Sequence, residues 1–203
     1  MYHTTTTPLK YRVLLLFTLL PFFSFAQERG VGIRLGEPLS LTYKDFFEDY
    51  LSYEIMLGAA GVNGSDYYRK DFENNPPSSN AFYQSHAANK GVSINFRVAL
   101  HEDITDVFDI TQGYLLAYGG AGIQIRTTNV DYSYFQNATS SATQPLMREE
   151  RTNFDFGPEA FAGAEYYFDE TPISVFAEVG LFLELIDRIN VKGQGGIGVR
   201  YLF

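Results

Sequence analysis

From residue 31 onward, apolar and polar side chains exchange places with a period of two, the spacing that sends successive side chains to opposite faces of an extended strand. The pattern is clearest at the C-terminal end. Val191, Gly193, Gly195, Ile197, Val199, Tyr201 and Phe203 form one row, and Lys192, Gln194, Gly196, Gly198, Arg200 and Leu202 form the other. In 173–185 the first row (Ile173, Val175, Ala177, Val179, Leu181, Leu183, Leu185) is entirely apolar, and Glu178 and Glu184 lie on the second. The same scheme runs through 31–36, 39–46, 51–60, 92–100, 115–127 and 154–168, which makes eight segments in all. Glu37-Pro38 separates the first two, since proline cannot donate to a ladder and belongs at a strand end or turn. The expectation is an all-β protein, an eight-stranded antiparallel up-and-down barrel.

Alternation does not say which face is inside, and a soluble barrel would turn its apolar row inward around a ligand. The mixed row decides for the opposite arrangement. It carries Arg34, Lys44, Arg97, Arg126, Lys192 and Arg200 together with Glu54, Asp155, Glu159, Glu165, Glu178 and Glu184, six charges of each sign. A confined interior has to balance its charges to offset their desolvation, whereas a wetted outer face does not. Glycines such as Gly122, Gly163, Gly196 and Gly198 on the same row leave room for long side chains. The apolar row then faces lipid, and the barrel is transmembrane. Tyr43, Phe46, Phe47, Tyr50, Tyr53, Tyr114, Tyr166, Phe168, Tyr201 and Phe203 all fall at one common end of the strands, as an interfacial girdle would. The long polar connections, 61–90 and 129–153, both fall at the other end, the asymmetry of short inner turns and long outer loops.

Residues 1–26 read as a secretory signal peptide. Lys10 and Arg12 precede an apolar run that starts at Val13, is broken by Pro21, and closes on Ser24-Phe25-Ala26, with cleavage expected between Ala26 and Gln27. The apolar stretch is too short for the ~20 residues of a spanning helix. The barrel domain is then 27–203. The formal net charge of −9 becomes more negative when the leader's two bases are removed, which excludes a nucleic-acid partner recruited through clustered Lys and Arg. With 0 Cys, a disulfide module, a cysteine zinc site and a thiol enzyme are excluded as well.

The ending Gly198-Val199-Arg200-Tyr201-Leu202-Phe203, together with the alternation from Gly30, resembles the small OmpA/OmpX-like outer-membrane β-barrel superfamily. The resemblance implies a place in the outer membrane of a diderm bacterium, reached by the general secretory route, with outer-membrane lipid around the barrel. It also implies that Tyr201 and Phe203 form the terminal signal read by the barrel-assembly machinery.

Motifs of chemistry are weak. Gly193-Gln194-Gly195-Gly196-Ile197-Gly198 matches GxGxxG, but a dinucleotide site needs a helix to follow, and only a strand does. His86 neighbours Ser85 on a segment where adjacent side chains diverge. The pairs Glu159/Glu165 and Glu178/Glu184 are each separated along their strand by roughly 20 Å, too far for shared acid-base work. Asp66, Asp71 and Glu73 lack the spacing of a calcium loop. No enzyme, cofactor or metal is expected. The expected role is a structural and surface-interaction scaffold, with Tyr67, Tyr68, Phe72, Phe82, Tyr83, Tyr132, Tyr134 and Phe135 serving either as contact area for an extracellular partner or as extensions of the strands. A small-solute pore, a lipid-modifying enzyme and a component of a secretion complex are the alternatives.

Overall fold

The computed structural model describes residues 29–89, 91–136, 145–186 and 189–203. The expected leader and its Ala26–Gln27 bond lie outside the described residues. Nine strand segments form the wall: β1 (Gly30–Glu37), β2 (Leu39–Glu48), β3 (Leu51–Ala60), β4 (Phe82–Asn89), β5 (Gly91–Asp103), β6 (Tyr114–Phe135), β7 (Met147–Tyr167), β8 (Ile173–Glu184) and β9 (Asn190–Leu202), with one helix, α1 (Ser65–Asn74), between β3 and β4. Every pairing is antiparallel. β1 pairs with both β2 and β9, and β6 with both β5 and β7, so the sheet closes on itself. The ring has eight staves, because β4 continues the β5 stave upward along β6.

The apolar row faces outward. Leu41, Leu57, Val98, Leu100, Val179, Leu181, Val191 and Ile197 are each about half exposed or more, while the charged row is buried. Phe47, Tyr50, Phe168, Tyr201 and Phe203 are exposed at the end that carries the chain termini. Phe46 departs from the expected girdle. Two residues beyond the inward Lys44 and in register opposite Ser52, ahead of the slip in the β2–β3 ladder between Phe46 and Glu48, it keeps the inward parity and packs inside against His101 at 4.7 Å.

At the opposite end β6 and β7 run for 22 and 21 residues, against 8 to 13 for the strands of the shorter staves. Together with β4 they form a three-stranded flap that rises above the ring. The stretches read as polar loops, 61–90 and 129–153, are therefore largely ordered structure. Their aromatic residues explain why. The inner face of β6 changes from Arg126 and Thr128 to Val130, Tyr132 and Tyr134, and α1 covers that face with Tyr67, Tyr68 and Phe72. Tyr68 and Phe72 are one turn apart and form a single stripe, and Arg69–Glu73 pairs on the exposed side at 2.8 Å. A ten-residue helix is marginal alone, so this aromatic packing holds α1 in place, and Pro76-Pro77 ends it.

Candidate functional site

The centre of the molecule is the filled lumen. Eleven of the twelve charged residues expected there are buried, and the Lys192 side chain is 13% exposed. They form two groups. The lower group joins Lys44 to Glu165 (2.8 Å), Arg200 to Glu165 (2.7 Å) and to Glu54, Arg97 to Glu159 (2.9 Å) and Glu178 (2.7 Å), and Arg34 to Glu178 (2.7 Å). That is four cations against four carboxylates. The upper group holds Lys192 against Asp155 (2.8 Å) and Glu184 (3.4 Å), and Arg126 within 3.9 Å of Asp155 and 3.3 Å of the partly exposed Glu37.

A layer of uncharged groups separates them. The Gln194 amide donates to the Gln124 carbonyl (2.6 Å), the Gln124 amide to Ser93 Oγ (2.9 Å), and the Asn95 amide to Glu159 (2.9 Å), so the layer hangs from the lower group. Aromatic faces fill what remains. The Arg97 guanidinium lies 4.4 Å above Phe161 and that of Arg200 3.8 Å above Phe176. Gly198 makes the second contact possible, because a Cβ there would lie 2.3 Å from the Phe176 ring.

The partners are not those that hairpin adjacency suggests. Sequence reasoning pairs neighbouring strands, Glu178 with Arg200 and Glu184 with Lys192. The second pair forms, but Glu178 faces Gly196 across the ladder and Arg200 faces Ser174. Long side chains in a narrow lumen reach across it rather than sideways. The lumen bridges of 3.0 Å or less all join staves that are not neighbours, whereas the adjacent-stave contacts are longer: Glu54–Arg97 at 3.7 Å, Glu184–Lys192 at 3.4 Å and Arg126–Asp155 at 3.9 Å.

Both ends of the lumen are capped. Above, the Tyr67 hydroxyl donates to Glu184, so α1 is tied into the upper group, and Arg126 donates to the Gly61 carbonyl. Burial and the Glu184 carboxylate both push the Tyr67 phenol well above its ordinary pKa, which keeps it a donor. Below, Ser52 Oγ lies 2.8 Å from His101 Nε2. Sequence reasoning missed this pair, since Ser52 and His101 are 49 positions apart and meet only through the β3–β5 ladder. The distance suits an activated hydroxyl. Ser52, however, is 1% exposed and borders a cavity of about 10 Å³, room for about one water. The other histidine among the described residues, His86, bonds Tyr83 at 2.6 Å in the flap. Among the described residues no group of His, Asp and Glu is arranged to hold a metal ion.

No family model matches the chain, and no curated protein does. Solved structures to which it is similar include the N-terminal β-barrel domain of Pseudomonas aeruginosa OprF (16% identity, 87% of this chain and 96% of that one, TM-score 0.47). Another is the attachment invasion locus protein Ail of Yersinia pestis, solved with the heparin analogue sucrose octasulfate (13%, 88% and 100%, TM-score 0.44). A third is Acinetobacter baumannii CarO (11%, 87% and 97%, TM-score 0.36). Independently of these likenesses, a closed ring of eight antiparallel staves, apolar outside and ionic within, gives this chain the architecture of a small outer-membrane β-barrel.

Proposed function

We propose that the protein is a closed scaffold of the outer membrane that holds an ordered flap beyond the bilayer for contact with a partner outside the cell. Among the described residues no helix is long and apolar enough to cross a membrane, and in this reading the strands make the crossing, with outer-membrane lipid against the apolar row. The chain-terminal end, with its short turns and aromatic rim, faces the periplasm. The general secretory route delivers the chain, and the barrel-assembly machinery reads Tyr201 and Phe203.

The observation that carries the scaffold reading is the filled lumen: two charge-matched groups, an amide layer between them, and a basal cavity of about 10 Å³. A solute path would require the cross-lumen bridges to break together. In planar bilayers the purified barrel is expected to give no stable conductance step. A steady porin-like current would overturn the reading and favour the small-solute pore. The lipid-modifying alternative draws no support from the Ser52–His101 pair, which faces the lumen rather than lipid.

The contact surface differs from the aromatic set read in the sequence. Tyr67, Tyr68, Phe72, Tyr132 and Tyr134 are buried under α1. What the flap offers to solvent is its tip. Phe82 stands opposite Phe135, Met147 opposite Tyr134, and Phe82, Leu146 and Met147 are 46%, 47% and 37% exposed. An apolar tip on an otherwise polar projection is the kind of patch that marks a contact site.

A further inference from the structure

At the end of the lumen where β3 gives way to α1, a cavity of about 360 Å³ opens between loop 61–64, the end of β1 and the start of β9. That volume is within the size range of small-molecule sites. Arg126 reaches it from β6, Glu37 from β1, and Asn190 and Lys192 from β9, while the exposed Val62 and Val191 supply an apolar lip.

The polar groups of this wall are not all used. Arg126 is 2% exposed, its guanidinium lies 5.8 Å from the centre of the Phe182 ring, and its Nη2 donates to the Gly61 carbonyl. Nη1 of the same group has no hydrogen-bond partner and, unlike the sealed Nε, is open to solvent. Both contacts of Nη2, Gly61 and Glu37, border the cavity, so the open nitrogen sits at its wall. The Asn190 amide is likewise unbonded and open to solvent. Glu37 accepts the Gly61 N–H at its two oxygens (2.8 and 2.9 Å), yet its side chain is 36% exposed and a carboxylate has about four lone-pair sites.

This mixture selects the ligand. With Glu37 the upper group sets three carboxylates against two cations, so a free anion meets net negative charge. A free cation meets Arg126 and Lys192 in the same wall. A hydroxyl carries no charge and both donates and accepts. One of two vicinal hydroxyls can accept from Arg126 Nη1 while the other donates to Glu37, which lies 3.3 Å from Nη2, and Asn190 can serve a third. Sugar rings hold hydroxyls in such fixed arrays, and their C–H faces can rest on the valines.

We propose that this cavity binds a neutral saccharide, either the sugar of an outer-leaflet glycolipid or a free glycan. Its biological supply rests on the reading that this end lies outside the cell, but the purified protein reports the site whichever way it faces.

The test is a titration of the purified protein in zwitterionic micelles, read on the backbone amides of Gly61, Gly64 and Gly193 by NMR. The probes are glucose, galactose, mannose, N-acetylglucosamine, maltose, lactose, lipopolysaccharide and its released, dephosphorylated oligosaccharide. At least one sugar should give a saturable shift that glycerol at the same hydroxyl concentration does not. Asn190→Ala should weaken binding by about tenfold, the worth of one lost hydrogen bond. It breaks no bond in the free protein, and the mobility shift of the unboiled variant on a gel verifies its fold. Binding of both lipopolysaccharide and its oligosaccharide supports a glycolipid source, and binding of the simple sugars alone supports a free glycan. Four results would each overturn the proposal: no saturable shift with any sugar, which means a merely solvated cleft; the same shifts with inorganic phosphate at lower concentration, which mean an anion site; an unchanged affinity in the folded variant; or binding of lipopolysaccharide without its oligosaccharide, which means acyl or phosphate contact. None of these results bears on the closed lumen or the flap tip, so the scaffold reading stands or falls separately.

Discussion

Glu178 lies 2.7 Å from both Arg34 and Arg97 and accepts a further bond from the Tyr118 hydroxyl at 3.1 Å. Replacing it with Gln keeps the shape but leaves two buried guanidinium groups short of a counter-charge. Breaking one side of a buried pair costs about 3–5 kcal/mol, so Glu178→Gln should lower the urea midpoint far more than Glu73→Gln, whose pair with Arg69 is exposed. Equal midpoints would show that the lumen tolerates unpaired charge. The parity of the sequence identifies the inward set, down to Arg34 and Arg200, but it does not name partners. Which side chains meet across a lumen depends on the tilt and stagger of the staves, and alternation within each segment carries no information on either. That is why Glu178 could be placed inside from sequence and still be assigned the wrong arginine.

At the level of elements, the flap is where the sequence was least legible. The helical stripe of Tyr68 and Phe72 is short, and it is followed by Pro76-Pro77-Ser78-Ser79, which reads as a loop. β4 (FYQSHAAN) carries no clear alternation because its ladder with β6 slips between Tyr83 and Ser85, which changes the parity partway along the strand. Its His86 is half-buried, 5.3 Å from the Tyr68 ring and 6.2 Å from that of Tyr132, and burial pushes its pKa below the ordinary 6.5. Neutral imidazole can accept the Tyr83 hydroxyl proton at Nδ1, but imidazolium cannot. A histidine with a depressed folded pKa stabilises the flap fully above its unfolded pKa, and that contribution is lost as pH falls from about 6.5 through the folded value. The near-UV circular dichroism of the tyrosines should therefore weaken on acidification below about pH 6.5 while the strand signal of the barrel persists. The His86→Phe variant should flatten this dependence, and an unchanged profile in that variant would assign it to another group.

For the molecule as a whole, closure depends on β1 and β9, and its last stitch is the Phe203 N–H to the Arg29 carbonyl (2.9 Å), beside the Leu202 N–H to the Pro172 carbonyl (2.9 Å) that ties the same strand to the start of β8. Phe203 is half exposed on the outer row, while Leu202 packs near Gly30. Deleting Phe203 should therefore reduce the compact fraction on an unboiled gel more than Leu202→Ala does, by removing both a stitch and the proposed assembly signal. Equal fractions would count against that signal. The cross-lumen bridges add a constraint on the order of events. The hairpins of this chain cannot complete the pairing of their own inward charges, because Arg34 waits for β8, Lys44 for β7, and Arg97 for β7 and β8. A half-built wall would expose naked ions to hydrocarbon, so hairpins cannot enter the bilayer one after another. The staves must gather around a wet core, and the water leaves only when the final seam shuts, which makes drying and closure a single event.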